Sequence, residues 1–444
     1  MNTKIGKCAL TWYNGFGKGR SNNSKLASDF FREYFSVIIS GYCREFCGIV
    51  IMKNAMLPFI KATNTIWEYL KTAKKPVVLY GTGDGADKIL ARLAAEGVAV
   101  TAVFASDEFV RGQQFHGFTV RRYSELLSLK ENVIVLIAFA SQLPEMLERF
   151  QDLEQVHETY APHVPIFSGD EAVTRDWIIK YEAELQAVYD RLADTMSRKV
   201  FADILNYRLS GKISYLRDCT TIREDDLRKI FSFGDEETCV DAGAYDGDTI
   251  EEFLQLTGHR YKKIYAVEPD PKNFKKLMEF VRQNDLEHVE CMPAGLWSEC
   301  GAMELIGSGG RQSTLWSADN PKDKEELKNS VDITTFPDNV NRIRKKTKRQ
   351  IVQVVSVDSM LGADHASYMK FDVEGMEKEA LEGAKEHLGP DRDGNLPKLL
   401  VAAYHHDEDL FVLPLLLWKL QPRYQVFLRK HPYVPDWEIN IFAK

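Results

Sequence analysis

The stretch that most constrains this chain is Thr238-Cys239-Val240-Asp241-Ala242-Gly243-Ala244-Tyr245-Asp246-Gly247-Asp248-Thr249. A short apolar run feeds a bend with glycines at 243 and 247, and a helical pattern, IEEFLQL, follows from about Asp248. Strand, glycine bend and helix N-terminus in that order let backbone approach a ligand closely. The spacing is D-x-G-x-x-x-G, not the G-x-G-x-x-G of dinucleotide binders. Asp241, Asp246 and Asp248 would repel a pyrophosphate. They suit a cationic ligand with an amino-acid end, which points to S-adenosylmethionine (SAM). The next unit agrees: 262–267 (KKIYAV) reads as a second strand ending on Glu268-Pro269-Asp270. That puts a carboxylate roughly 20 residues beyond the bend, where such folds grip a ribose diol.

From residue 236 to the end, strand and helix patterns alternate, the sign of a parallel sheet. A third strand is predicted over 288–297, further strands over 351–357, 368–371 and 399–403, and a closing antiparallel hairpin near 424–429 and 438–442. Residues 301–350 read as one irregular stretch that carries GSGGRQST and the basic run NRIRKKTKRQ. Upstream, 77–80 reads as a buried strand followed by G-x-G-x-x-A (81–86) and a helix, the context a dinucleotide fingerprint requires. Strands over 98–104, ending near Ser106-Asp107, and 133–140 continue that unit. It is short for a complete dinucleotide site, so nucleotide binding there stays open. The expected organisation is a helical region over 1–75, a small Rossmann-like α/β domain over 76–170, a helical linker or dimerisation segment over 171–235, and an α/β domain over 236–444.

At 444 residues the chain exceeds one ordinary domain. Its net charge of -8 argues against broad nucleic-acid binding. No run reaches the roughly 18 apolar residues of a membrane span, and no signal peptide is visible at the N-terminus. The seven cysteines are scattered without a C-x-x-C, which fits a reduced, cytoplasmic protein; Cys43 and Cys47 read as core residues.

With these segments placed, residues 236–444 resemble the FkbM-type SAM-dependent methyltransferases. VDAGAYDGDT, YAVEPDPKNFKKL, VVSVDSML, MKFDVEGMEKEALEGA and the closing EINIFA carry the likeness, and the pairing of VEPDP with KFDVEGME is its specific part. The resemblance implies a class I methyltransferase fold, a Rossmann-like parallel sheet with an antiparallel last strand. It also implies O-methyl transfer to a hydroxyl of a sugar, glycan or secondary metabolite. Where relatives often carry an acid after the penultimate long strand, this chain reads AAYHH.

Residue roles follow. Asp241, Gly243, Tyr245, Asp246 and Gly247 are expected at the methionine end of SAM, Glu268 at its ribose, and Ala294 with Gly295 and Leu296 against its adenine. Asp372, Glu374, His405 and His406 are the candidates for removing the hydroxyl proton, with Lys370 beside them to neutralise the acids. The same four groups would permit a divalent metal, which is not expected. Arg311 and Ser313 are candidate acceptor contacts. The partner is a small-molecule or glycan hydroxyl, with a homodimer permitted by the helical segment. Two other readings remain: a nucleotide or nucleotide-sugar binding protein acting through the N-terminal Rossmann-like unit, and a non-catalytic scaffold.

Overall fold

Two parallel sheets organise the chain, and each is built on a strand with no polar alternation. Val77–Tyr80 and Thr238–Ala242 are buried at every position, as strands covered on both faces must be. The computed structural model describes residues 57–167, 169–307, 313–316 and 348–444. The predicted helical pattern before residue 57, with Cys43 and Cys47, lies outside them. Within 57–75 a short helix, Ile66–Thr72, is closed by a capping box between Thr65 and Glu68.

The first sheet takes β1 (Val77–Tyr80), β2 (Val100–Ala105), β5 (Arg121–Arg122), β6 (Ile134–Ile137) and β7 (Glu158–Tyr160) in the order β5-β2-β1-β6-β7, every pair parallel. Between β2 and β5, β3 (Gln114–Phe115) and β4 (Phe118–Thr119) form a small antiparallel ribbon. The expected Rossmann-like unit is therefore present as a fold.

The segment 176–209, which reads as one long amphipathic helix, is broken into three: Arg175–Lys180, Glu182–Arg191 and Thr195–Ser210. Asp194 caps the third by accepting the Ser197 amide at 2.7 Å. Val200, Phe201, Ile204 and Leu205 of that helix share one apolar cluster with Val78 of β1 and with Val426 and Leu428 near the C-terminus. Its apolar stripe is thus spent inside the chain. Ser197 Oγ accepts the Leu428 amide at 3.0 Å, and Asn206 Oδ1 accepts the Ala62 amide at 2.9 Å.

The second sheet comprises β8 (Thr238–Ala242), β9 (Lys263–Val267), β10 (Val289–Met292), β15 (Tyr368–Phe371), β16 (Lys398–Ala402), β17 (Val426–Lys430) and β18 (Ile439–Ala443). Their order is β10-β9-β8-β15-β16-β18-β17, with β18 antiparallel to both neighbours. Strand order reverses between β8 and β15, the switch point where open α/β sheets bind ligands. The predicted third strand over 288–297 is in fact two: β10 stays in this sheet, whereas β11 (Ala294–Leu296) leaves it to pair with β14 (Lys348–Val355). Nor is 301–350 simply irregular. β12 (Gly301–Gly307) pairs antiparallel with β14 and with β13 (Ser313–Trp316). The reason is visible along β14, where exposed Ile351 and Gln353 alternate with buried Val352 and Val354. A two-residue period on a half-open sheet tolerates basic residues on its outer face.

The connection after β6 is tied to the β17–β18 hairpin. Ser141 and Val434 exchange amide-to-carbonyl bonds of 2.8 and 2.9 Å. Beside them lies a buried ionic group. Arg208 Nε donates to Asp436 Oδ2 at 2.6 Å, and His163 contacts Asp407 through Nε2 at 2.7 Å and Asp436 through Nδ1 at 3.1 Å. Burial opposes a charged His163, but the two carboxylates outweigh it and raise its pKa to about 9. A raised histidine pKa stabilises the fold below its ordinary value near 6.5 and ceases to do so as pH climbs through 9. Melting temperature is therefore expected to fall between pH 7 and about pH 9.5, with His163→Gln flattening that limb. An equally steep limb in the variant would remove His163 as its cause.

Candidate active site

The site grows from a cross-strand pair. β8 and β15 are in register with Asp241 opposite Lys370, and both side chains are buried. Lys370 Nζ lies 3.3 Å from Asp241 Oδ1 and donates to the carbonyl of Gly243 at 2.7 Å. Thr249 Oγ1 donates to Asp241 Oδ2 at 2.5 Å. Burial works against the Lys370 charge, but Asp241, Asp372 and Asp248 outweigh it and hold its pKa above the usual lysine value. Asp241 thus anchors the bend from beneath, where the sequence suggested direct contact with SAM.

The bend itself needs its glycines. Gly243 has φ +78°, and a Cβ there would lie 1.9 Å from the Asp372 carbonyl oxygen. Gly247, at φ +100°, would drive a Cβ into the Phe280 ring at 2.5 Å. The amides of Gly243 and Ala244 both donate to Val267 O at 3.0 Å, closing the bend onto β9. Asp246 faces Lys276 at 4.0 Å on the outer side, and Asp248 is the acid of this loop that lines the cleft. Burial pushes the Asp248 carboxyl up.

Glu268, at the end of β9, is buried. Its Oε2 accepts the Tyr245 amide at 3.0 Å and its Oε1 the Asp270 amide at 2.8 Å. Burial raises its pKa to about 7 against those two amides, which favour the charge. Each oxygen keeps a lone pair for a hydroxyl donor. Ala294, Gly295 and Leu296 line the same cleft, which has a volume of about 880 Å³. Gln142 and Ile166 from the N-terminal part and Tyr433, Trp437 and Glu438 from the hairpin complete its walls.

On the opposite rim stand Asp372, Glu374 and His405. The imidazole of His405 is 3% exposed, with Nε2 at 3.7 Å from Asp372 Oδ1 and 3.6 Å from Glu374 Oε2. Its Nδ1 lies 3.0 Å from Glu377 Oε1. Burial opposes the imidazolium, yet Glu377, Glu374 and Asp372 raise the His405 pKa to about 10. Burial also lifts Glu374 to about 8. Asp372 goes the other way: burial would raise it, but Lys370, His405 and Arg223 outweigh that and hold it below the usual carboxylate range. Tyr404 Oη donates to Asp372 Oδ1 at 3.3 Å. Glu374 sits at φ +55°, a conformation rare for a residue with a side chain.

His406 does not join this group. Its Nδ1 contacts Asp170 at 3.0 Å, its Nε2 the Gly375 carbonyl at 3.1 Å, and its ring stacks on Phe167. The buried acid that reasoning from sequence missed is Glu377. Three residues past Glu374 in DVEGMEKE, it begins a short helix and accepts the Val373 amide at 2.8 Å. Arg311 lies outside the described residues; Ser313 falls in β13, its side chain outside them. In the N-terminal sheet, a Cβ on Gly85 would meet Ala138 O at 2.7 Å and one on Gly81 the Phe139 ring at 3.0 Å. The close approach these glycines allow is taken up by the end of β6.

A reversed final strand and a cleft over the switch point give the C-terminal part a methyltransferase-like fold. Residues 241–409 match the family model described as the methyltransferase FkbM domain, and this part of the chain belongs to that family. Among solved structures, the methyltransferase FkbM from Methylobacillus flagellatus KT is similar with TM-score 0.59 at 18% identity, covering 87% of this chain and 95% of that one. That likeness is one of fold, and its extent takes in more than the C-terminal half. An rRNA methylase from Streptococcus thermophilus (TM-score 0.29, 13% identity) covers 50% of this chain and 92% of its own. A sequence comparison with curated proteins returns no significant match.

Proposed function

We propose that this chain is a SAM-dependent O-methyltransferase acting on a hydroxyl of a sugar, glycan or secondary metabolite. The observation that carries the reading is Glu268, buried at the end of β9 with one backbone amide on each oxygen and the glycine bend alongside. The residues present fit the donor: each Glu268 oxygen accepts one backbone amide and keeps a lone pair for a ribose hydroxyl, and the acids nearby suit a cation. Bound in this cleft, SAM supplies a methyl group already activated on a sulfonium. Glu268 would hold the ribose hydroxyls, the Gly243–Tyr245 backbone the methionine end, and Ala294 to Leu296 the adenine face.

Alignment of acceptor and donor is the larger contribution, worth roughly 7–11 kcal/mol in well-oriented systems. Proton removal adds about 10²–10⁴ in rate. The acceptor oxygen becomes strongly acidic as it takes the methyl group, so the weakly basic, ionised Asp372 suffices to receive its proton. Tyr404, which donates to Asp372 Oδ1 at 3.3 Å, then positions that carboxylate. The Tyr433 and Trp437 rings, 5.4 Å apart, offer apolar faces for the C–H side of a sugar ring. Among the described residues no helix is long and apolar enough to cross a membrane. A cytoplasmic setting, with the acceptor as partner, is part of the proposal and rests on the charge and cysteine pattern.

Glu268→Ala is expected to weaken SAM binding by at least about 100-fold, roughly 2.7 kcal/mol, in isothermal calorimetry. Because the ribose diol donates to the ionised form, wild-type affinity should rise as pH passes upward through about 7. Wild-type protein with no measurable affinity for SAM would overturn the proposal.

A further inference from the structure

We propose that Asp372, Glu377 and His405, with Glu374 at the edge, form a divalent-cation site opening on the cleft. One ligand atom from each of the first three lies within 4.8 Å of the others. The spacing suits a shared ion better than hydrogen bonds. His405 Nε2 stands 3.7 Å from Asp372 Oδ1 and 3.6 Å from Glu374 Oε2, beyond hydrogen-bond reach. Two ligands so separated, each about 2.1–2.2 Å from one ion, subtend about 115° at it, close to the tetrahedral angle.

A second observation stands apart from the acidity of the cluster. The Glu377 side chain is 1% exposed, and its Oε2 makes no hydrogen bond despite that burial. Buried polar atoms without partners are rare in folded interiors and call for an explanation such as an ion. Asp372 and His405 also follow the ends of adjacent strands, β15 and β16, so rigid elements hold them.

Carboxylate oxygens with one imidazole suit an ion such as Mn²⁺. Such an ion on the cleft wall would hold the acceptor oxygen and ease loss of its proton. That role rests on the methyltransfer reading, whereas binding of the ion does not.

The test titrates Mn²⁺ alone into the full chain, with the bound ion followed by electron paramagnetic resonance. One bound Mn²⁺ per chain is expected, with nitrogen coupling from a single imidazole. Glu377→Gln and His405→Gln should weaken binding at least about tenfold. His406→Gln, on the neighbouring ring held by Asp170, should change it less than about twofold. Wild-type protein that takes up no Mn²⁺ at about 1 mM, or binds it without nitrogen coupling, overturns the site whether or not the variants fold. SAM titrated in parallel separates the two readings. SAM binding without Mn²⁺ removes the ion and keeps the reaction; Mn²⁺ binding without SAM does the reverse.

Discussion

Gly243→Ala is expected to abolish SAM binding and to lower stability by about 3 kcal/mol or more. Two costs coincide at this position. A φ of +78° disfavours any residue with a Cβ, and that Cβ would stand 1.9 Å from the carbonyl oxygen and 3.0 Å from the carbonyl carbon of Asp372. Both obstructing atoms are backbone, so no flexible side chain can swing away. β8 and β15, which lead directly into Gly243 and Asp372, are hydrogen-bonded neighbours and cannot part without breaking the ladder. Gly258→Ala separates the two costs. Gly258 has φ +62° with nothing within 4 Å of its Cβ position, so alanine there should cost only about 1 kcal/mol. Denaturant midpoints and calorimetry with SAM measure both variants. Equal losses would show that the contact with Asp372 is relieved at little cost.

The legible part of this fold is what short-range chemistry dictates. VVLY and TCVDA are apolar runs with a glycine turn behind each, and both became the central strands of parallel sheets. The carboxylate at 268 could be placed because strand length and turn length fix where a second strand ends. Direction was harder. His405 and His406 are neighbours at a strand end, where side chains alternate sides. One turned into the cleft, and the other turned toward Asp170, more than two hundred positions upstream. Only the packing of the N-terminal part decides that. Asp241 shows the same limit: its cross-strand partner Lys370 lies 129 positions away, and register rather than local pattern makes them meet. Glu377 was hidden among six acids between 372 and 386, and burial alone singles it out.

The second large effect concerns that cross-strand pair. Lys370→Met removes a buried cation that holds the Gly243 carbonyl at 2.7 Å, the Ala242 carbonyl at 3.3 Å and the Asp241 carboxylate at 3.3 Å. Methionine fills a similar volume, so packing is largely kept and the charge is what goes. Asp241 is then left in the sheet interior with Thr249 as its hydrogen-bond donor. Breaking one side of a buried pair typically costs about 3–5 kcal/mol, and chemical denaturation should show a loss of that size. SAM affinity should fall as well, since the bend loses its anchor beneath Gly243. If the unpaired carboxylate is the main cost, adding Asp241→Asn to Lys370→Met should restore about 1 kcal/mol or more of coupling energy. A coupling energy near zero would mean that Lys370 supports the site through the carbonyls of 242 and 243, and that its pairing with Asp241 contributes little to stability.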